Sequence, residues 1–533
     1  MRCRLIALLS FLSLTIYAAE WDSFKHFPPM DQIYHPVSTT NPEAQTAFDK
    51  GLLAIYAFNY DQALNYFDLA SRLDPNLAMA YWGMALAIDE NLDKFATPNH
   101  ARLTMQLSNK ALELSSQATP HEQAYIKALA TRFSKNYRMD KALLRTKYAE
   151  AMKEVVAMYP EDLDASTLYA ESLMDLLSWD LWTPEEEPRN QTLEIVALLE
   201  SVLKRNPMHI GANHYYIHAQ ENSPYPERAL MAAYRLDQLN LMDWAHLIHT
   251  SSHIYMRVGS YDKAVLANQR AIEADRSYIK INGIEGRYPL KYLTHNLFYL
   301  TIAYMWQEQF DQAIASAKEL ESLVKPYVSQ ASSMEFTLLM PLQVYLYFHR
   351  WEDILQLPEP SSDQGLVQPF WAFAYAMACA GQEDLEKAKT ALAFFQQKQK
   401  EYFAKSGENT FAQELFTLGE HLLKASIYKK EGNLGEGVKQ LQQAALLQEK
   451  KLGEFSWSYP ICQTLGAYLI EMQLYKEAET TFRKALNRYP RNGRSLFGLS
   501  QALKFQGKSD YSIERQCREA LIHAPNGLKI KDL

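Results

Sequence analysis

Glycine is scarce in this chain: 19 among 533 residues, well below the roughly 7% usual in proteins. So few chain reversals argue against an all-β fold, which needs many tight turns. Cysteine is scarcer, at four. Cys3 precedes an apolar run, and Cys379, Cys462 and Cys517 are widely spaced. That spacing makes neither a disulfide framework nor a zinc ribbon; it leaves room for one bridge or for buried free thiols. A basic excess is missing too. Against 54 basic side chains stand 62 acidic ones, a formal net charge of −8. The balance gives no electrostatic reason to bind nucleic acid or anionic lipid.

Several catalytic signatures are absent as well. There is no phosphate loop, no dinucleotide glycine fingerprint and no nucleophile elbow. Neither His218 nor His121-Glu122 reproduces the metalloprotease phrase H-E-x-x-H. Beyond the first 20 residues no stretch is apolar enough to span a bilayer.

What is present is apolar bulk and a repeat. Hydrophobic residues make up 48%, enough for a large core and against disorder. The N-terminus carries Arg2 and Arg4, an apolar run from Leu5 to Ile16, then Ala18 and Ala19. This is the pattern of a cleaved export signal, so the expected location is secreted or periplasmic; a retained anchor is the rival. Gly51, Ala63, Phe67, Ala70 and Pro75 recur with identical offsets as Gly466, Ala478, Phe482, Ala485 and Pro490. Small residues let two helices approach, the aromatic fills the gap, and proline ends the second helix.

These residues resemble the tetratricopeptide repeat (TPR), a helix–turn–helix of roughly 34 residues. Weaker copies include Tyr255, Gly259, Tyr261, Ala264 and Ala271, then Tyr304, Phe310 and Ala313. A last one holds Ala502, Gly507, Ala520 and Pro525. The fold class expected is all-α, a TPR-type solenoid of helical hairpins in a right-handed superhelix. Its expected parts are a signal peptide (1–19), an arm (20–43), an N-terminal array with a histidine-rich groove (44–320) and a C-terminal array (321–533). Stretches Trp182–Pro188 and Leu357–Gln368 read as long loops.

Seven of the fourteen histidines lie between His209 and His295. His214 and His218 are four apart; His246, His249 and His253 are three and then four apart. On a helix each set shares a face. The prolines and alanines of the repeat set first helices beginning near Leu163, Ile210, Ala245 and Thr294. The TPR resemblance implies that first-helix positions 2, 5, 9, 12 and 13 line the concave groove. Those positions hold Glu171, His214, His218, Glu221, His246, His249, His253, Arg257 and His295. His209, at a helix junction, reads as surface.

The stretches 35–87 and 169–259 also resemble a bacterial family of exported-looking TPR proteins of unassigned activity. Asn41-Pro42-Glu43-Ala44, Ala80-Tyr81-Trp82-Gly83, Trp179-Asp180-Leu181-Trp182, the run from Gly211 to His218, and Ser252-His253-Ile254-Tyr255 carry the likeness. Thr250-Ser251 departs from the methionine-proline usual there. Three readings of the histidines stay open. In one they clamp a protein or peptide partner in the concave groove, with Arg257, Asn213 and Asn296, and the chain is an interaction scaffold. In the second His214, His218, His249 and His253, with His246 and Glu171 or Glu221, hold a divalent zinc, copper or iron ion. A metal-dependent hydrolase with Glu221 or Glu171 as base is then the reaction class. In the third they are core groups. Trp179 and Trp182 are expected to flank the site. A homo-oligomer is compatible with any of these.

Overall fold

The computed structural model describes residues 33–89, 98–134, 140–238, 244–284, 288–328, 332–361, 364–382, 384–452, 457–458, 460–524 and 527–533. The expected signal peptide, the first part of the arm and Pro525 lie outside them.

The described chain is a succession of helix hairpins. The first shows how sequence sets local structure. Asn41 accepts hydrogen bonds from the backbone N–H groups of Glu43 and Ala44, and Pro42 opens helix Pro42–Tyr56. The cap satisfies donors that a helix start leaves free, and proline there has none to lose. Asn59 starts the partner helix, Tyr60–Leu73, by accepting from Gln62 N–H.

The repeat works as a wedge. A methyl group added to Gly51 would sit 2.6 Å from the Phe67 ring, and one on Gly83 2.5 Å from it. Phe482 is seated in the same way between Gly466 and Gly498, at 2.4 and 2.2 Å. Each phenylalanine therefore lies between its own first helix and that of the next unit, with both rings fully buried. First helices begin at Leu163, Ile210, Ala245 and Thr294, where the repeat register puts them.

Hairpin turns share a left-handed residue. Phe58, Gly259, Glu308, His349, Gly432, Gln473 and Gly507 all have positive φ at equivalent junctions. Glycine takes that conformation freely, while other residues carry a cost of order 1 kcal/mol or more.

The superhelix is wound so that distant units meet. Tyr292 Oη donates to Phe58 O at 2.5 Å, Tyr261 Oη to Pro490 O at 2.8 Å and Trp306 Nε1 to Ser458 O at 2.9 Å. Glu308 and Arg494 form a buried double hydrogen bond at 2.8 and 3.0 Å. Units 245–324 are thus gripped from both ends of the array. The interior that an open superhelix would offer a ligand is occupied by the protein itself around the histidines. The apolar core falls into two bodies, one built from residues 37–347 with Tyr489 and one from 339–533. Cys379, Cys462 and Cys517 are free thiols.

Candidate metal centre

Three first helices build the site. Ile210–Gln220 supplies His214 and His218, Ala245–Arg257 supplies His246, His249 and His253, and Thr294–Trp306 supplies His295. Residues four apart share a helix face, so each pair of imidazoles points the same way. Successive helices then stack those faces side by side. The six rings form a continuous cluster, with neighbouring centroids 4.5–6.3 Å apart.

Outer hydrogen bonds fix which nitrogen of each ring carries the proton. His214 Nδ1 lies 2.5 Å from Tyr56 O, an acceptor only, so Nδ1 donates. His249 Nδ1 lies 2.6 Å from Asn268 Oδ1. The Asn268 amide is oriented by its Nδ2 donating to Ala264 O at 2.8 Å. His218 Nδ1 and His253 Nδ1 grip the two oxygens of one carboxylate, Glu221, at 2.9 and 2.5 Å. Burial pushes that carboxyl up, but the charges of His253 and His218 and their hydrogen bonds hold it well below the usual range. It is ionised and can only accept, so both imidazoles donate to it.

With Nδ1 turned outward on all four rings, the inner nitrogens are left to face one another, and each pair has room for one proton or one ion between them. His214 Nε2 faces His218 Nε2 at 3.1 Å, and His249 Nε2 faces His253 Nε2 at 3.1 Å. Two lone pairs at that distance repel; something positive must lie between them. His246 Nε2 is also buried, with no hydrogen-bond partner. Burial holds the His246 and His214 rings well below their ordinary pKa, and the adjacent imidazoles add to the shift. Burial, then His295, does the same for His249. Burial and His253 bring His295 down to about 3. These rings stay neutral, the form that binds metal.

The donors divide into two sets. His214, His218 and His246 each bring one nitrogen within 4.8 Å of the others, as do His249, His253 and His295. A third grouping, His218, Glu221 and His253, uses the atoms that already hydrogen-bond one another. Carboxylate–histidine–metal triads have this layout, the outer acceptor fixing the ring. Phe58 covers the first set, its ring centroid 4.5 Å from His214 and 5.4 Å from His246. Trp179 packs edge-on against His218, and Tyr299 against His249 and His253.

Of the nine groove residues expected from sequence, seven converge: the six histidines and Glu221. Two do not. Glu171 belongs to another cluster with Arg132, which pairs Asp175 at 2.7 Å and also Asp89; burial, then Asp175, pushes Glu171 up to about 8. Arg257 points to backbone, donating to Glu221 O at 2.7 Å, Ser223 O at 3.3 Å and Arg488 O at 3.2 Å, and pairs with Glu186 at 3.6 Å. It braces the turn that carries Glu221. Neither carboxylate is placed as a free base, since Glu221 is engaged at both oxygens. His214 and His249 are at 0% exposure and His253 is buried, while His218, His246 and His295 are half-buried. Asn213 and Asn296 likewise face inward, to Pro207 O and to Asp275. His209 is not surface: it caps its helix by accepting from Ala212 N–H and bonds Asp164 at 3.2 Å. Sequence reasoning missed Tyr56, Phe58 and Asn268. Only Phe58 had a visible signal, a bulky residue in a tight turn.

A separate polar network lies beside the site. His35 Nδ1 meets Asp164 at 2.8 Å, Tyr56 Oη donates to Asp164 at 2.5 Å, and His121 Nε2 meets Asp162 at 2.7 Å. Here each contact matches a donor to an acceptor, unlike the facing nitrogens.

Repeat, register and wedge define a TPR-type solenoid of helical hairpins. A family model described as tetratricopeptide repeat matches residues 459–492. No curated protein matches the chain. Solved structures that are similar include the APC/C hetero-tetramer Cut9–Hcn1, at 13% identity over 94% of this chain and 83% of that one, TM-score 0.29. Yeast Tom70 is similar at 13% identity over 90% and 94%, TM-score 0.25. The P58(IPK) TPR domain is similar at 11% over 87% and 98%, TM-score 0.20. Among the described residues no helix is long and apolar enough to cross a membrane.

Proposed function

We propose that this TPR array is a metal-binding protein, holding divalent metal in the histidine chamber at its centre. One observation carries the reading: two pairs of buried imidazole nitrogens face each other at 3.1 Å, with their outer nitrogens already committed, so that each pair holds either one proton or one ion. Two nitrogens bound to one tetrahedral ion at about 2.0–2.1 Å stand roughly 3.3 Å apart. Imidazole donors suit zinc, copper and iron. The test is metal analysis of the full chain made without a histidine tag, stripped and reloaded with zinc. Stoichiometric retention, lost when His218→Ala and His253→Ala are combined with helicity unchanged, is expected. Wild-type protein that retains no zinc after desalting would leave a shared proton as the occupant and sink the proposal.

A second reading, an interaction scaffold for a protein or peptide, draws on a different place. An open groove of about 750 Å³ runs between helices Tyr261–Asn282, Thr294–Trp306 and Phe310–Val324. Ile272, Leu297 and Leu300 floor it, and Arg276 and Glu319 flank it. A photo-crosslinker at exposed Ala315 is expected to give a discrete adduct in cells. Adducts that appear equally with a crosslinker at exposed Glu477, on a helix that does not line the groove, would count against a groove ligand. Export is proposed from the first 19 residues alone, and sequencing the N-terminus of the mature protein tests it.

A further inference from the structure

We infer that each three-histidine set leaves its ion one exchangeable position, filled by a small anion, so that the centre is a ligand-binding site and not a closed structural one. The inference rests on the metal reading above.

Count and charge both lead to it. Each set offers three nitrogens, and among the described residues no fourth histidine, cysteine or carboxylate joins either set. The one carboxylate at hand, Glu221, has both oxygens taken by His218 and His253. A structural zinc site closes with four protein ligands; three ligands leave a place for water or substrate. The charge is also unbalanced. Imidazoles bind metal in the neutral form, so two divalent ions held by the six rings beside one carboxylate give the half-buried chamber a formal charge of +3. Arg257 nearby is offset by its own ion pair with Glu186 at 3.6 Å and leaves this excess unchanged. Burying uncompensated charge costs several kcal/mol per ion. An anion bound to the metal offsets it without moving any side chain.

The walls set the size. Phe58, Trp179 and Tyr299 pack directly on the imidazoles, with ring centroids 4.5–6.0 Å away. Aromatic cover this close favours an anion of a few atoms over one carried on a bulky side chain. In water the resident anion is hydroxide, and a linear or diatomic anion displaces it.

The experiment loads the intact chain with cobalt(II), removes excess metal, and follows the visible d–d bands during titration with sodium azide. A saturable change in band position and intensity is expected, reversed by dialysis. Cobalt bound in stoichiometric amount with bands that azide leaves unmoved overturns the inference and leaves the metal reading intact. Failure to take up cobalt or zinc removes both. Phe58→Ala, which thins the cover, is expected to speed the azide-dependent change; an unchanged rate would show that the anion does not pass beneath that ring and would overturn the Phe58 wall.

Discussion

Glu221→Gln isolates the logic of the site, because it changes one atom and no shape. In the wild type, His218 Nδ1 and His253 Nδ1 both donate to this carboxylate, at 2.9 and 2.5 Å. Glutamine offers one oxygen and one NH₂ group. One imidazole keeps its acceptor. The other meets a donor, and relieves the conflict by moving its proton from Nδ1 to Nε2. That nitrogen then cannot bind metal. Loss of an outer-shell partner costs about 10–100-fold in metal affinity, or about 1.4–2.7 kcal/mol. The expected effect is therefore lopsided: one zinc equivalent weakens by that factor and the other holds. Stepwise competition against a chromophoric chelator at neutral pH reads each equivalent separately. Two unchanged equivalents would refute the proton assignment. Equal loss of both would mean that Glu221 ligates metal directly with His218 and His253, the third grouping the geometry allows.

Other consequences follow from the packing and the charges. Phe482→Ala empties the wedge between Gly466 and Gly498 and should cost about 3–5 kcal/mol, read as a shift in the denaturant midpoint; a change under 1 kcal/mol would mean the glycine pair collapses onto the gap. Arg494→Ala leaves Glu308 buried and unpaired, an expected loss of about 3–5 kcal/mol that Glu308→Gln in the same chain should partly restore. His35 tests the arm. Burial lowers its pKa, but the hydrogen bond and charge of Asp164 outweigh it and raise the pKa above 6.5. The folded state thus holds this proton more tightly than the unfolded one, so the contribution is full below pH 6.5 and is lost as pH rises through the raised value. Amide protection factors, the exchange rates corrected for the intrinsic pH dependence, at His35 and Val37, which donate to Asp49 and Gln45, should fall above neutrality in the wild type. In His35→Ala protection should be low at every pH, and a wild-type protection factor flat in pH would contradict the pairing.

Much of the fold was legible because the repeat leaves its mark at fixed spacing. Identical offsets from Gly51 to Pro75 and from Gly466 to Pro490 are the two glycine–phenylalanine wedges of the structure. First-helix starts followed from those offsets, and the starts put the histidine faces in phase. That is why six of six groove histidines converge. The register says which face a residue is on, however, not what crosses the interior to meet it. Glu171 has the right phase and the wrong neighbours, since Arg132 from an earlier helix claims its surroundings. Arg257 has the right phase too, but its guanidinium finds the carbonyls of Glu221 and Ser223 and that of Arg488, more than 200 residues away. Contacts that depend on how tightly the superhelix winds have no local sequence period to announce them.

One local trace of the winding does exist, and it lies in the turns. The hairpin junction asks for a left-handed residue, and Gly259, Gly432 and Gly507 meet the demand without strain. Phe58 and Glu308 take the same conformation at φ of 58° and 59°, against a cost of about 1 kcal/mol or more. Both are buried, and both reach across the superhelix: Phe58 covers His214 and His246, and Glu308 holds Arg494 and Tyr347. Exposed Gln473 shows that a left-handed turn alone does not imply such a role. A bulky or charged residue there, buried, is a cross-array contact whose gain exceeds the strain. Exchanging Phe58 for glycine separates the two contributions. It removes the strain, stabilising the turn, and removes the cover, exposing the first histidine set. If the cover matters more, the variant should lose metal faster to a chelator while its hairpin unfolds no sooner. Faster unfolding with unchanged metal release would instead place the importance of Phe58 in packing.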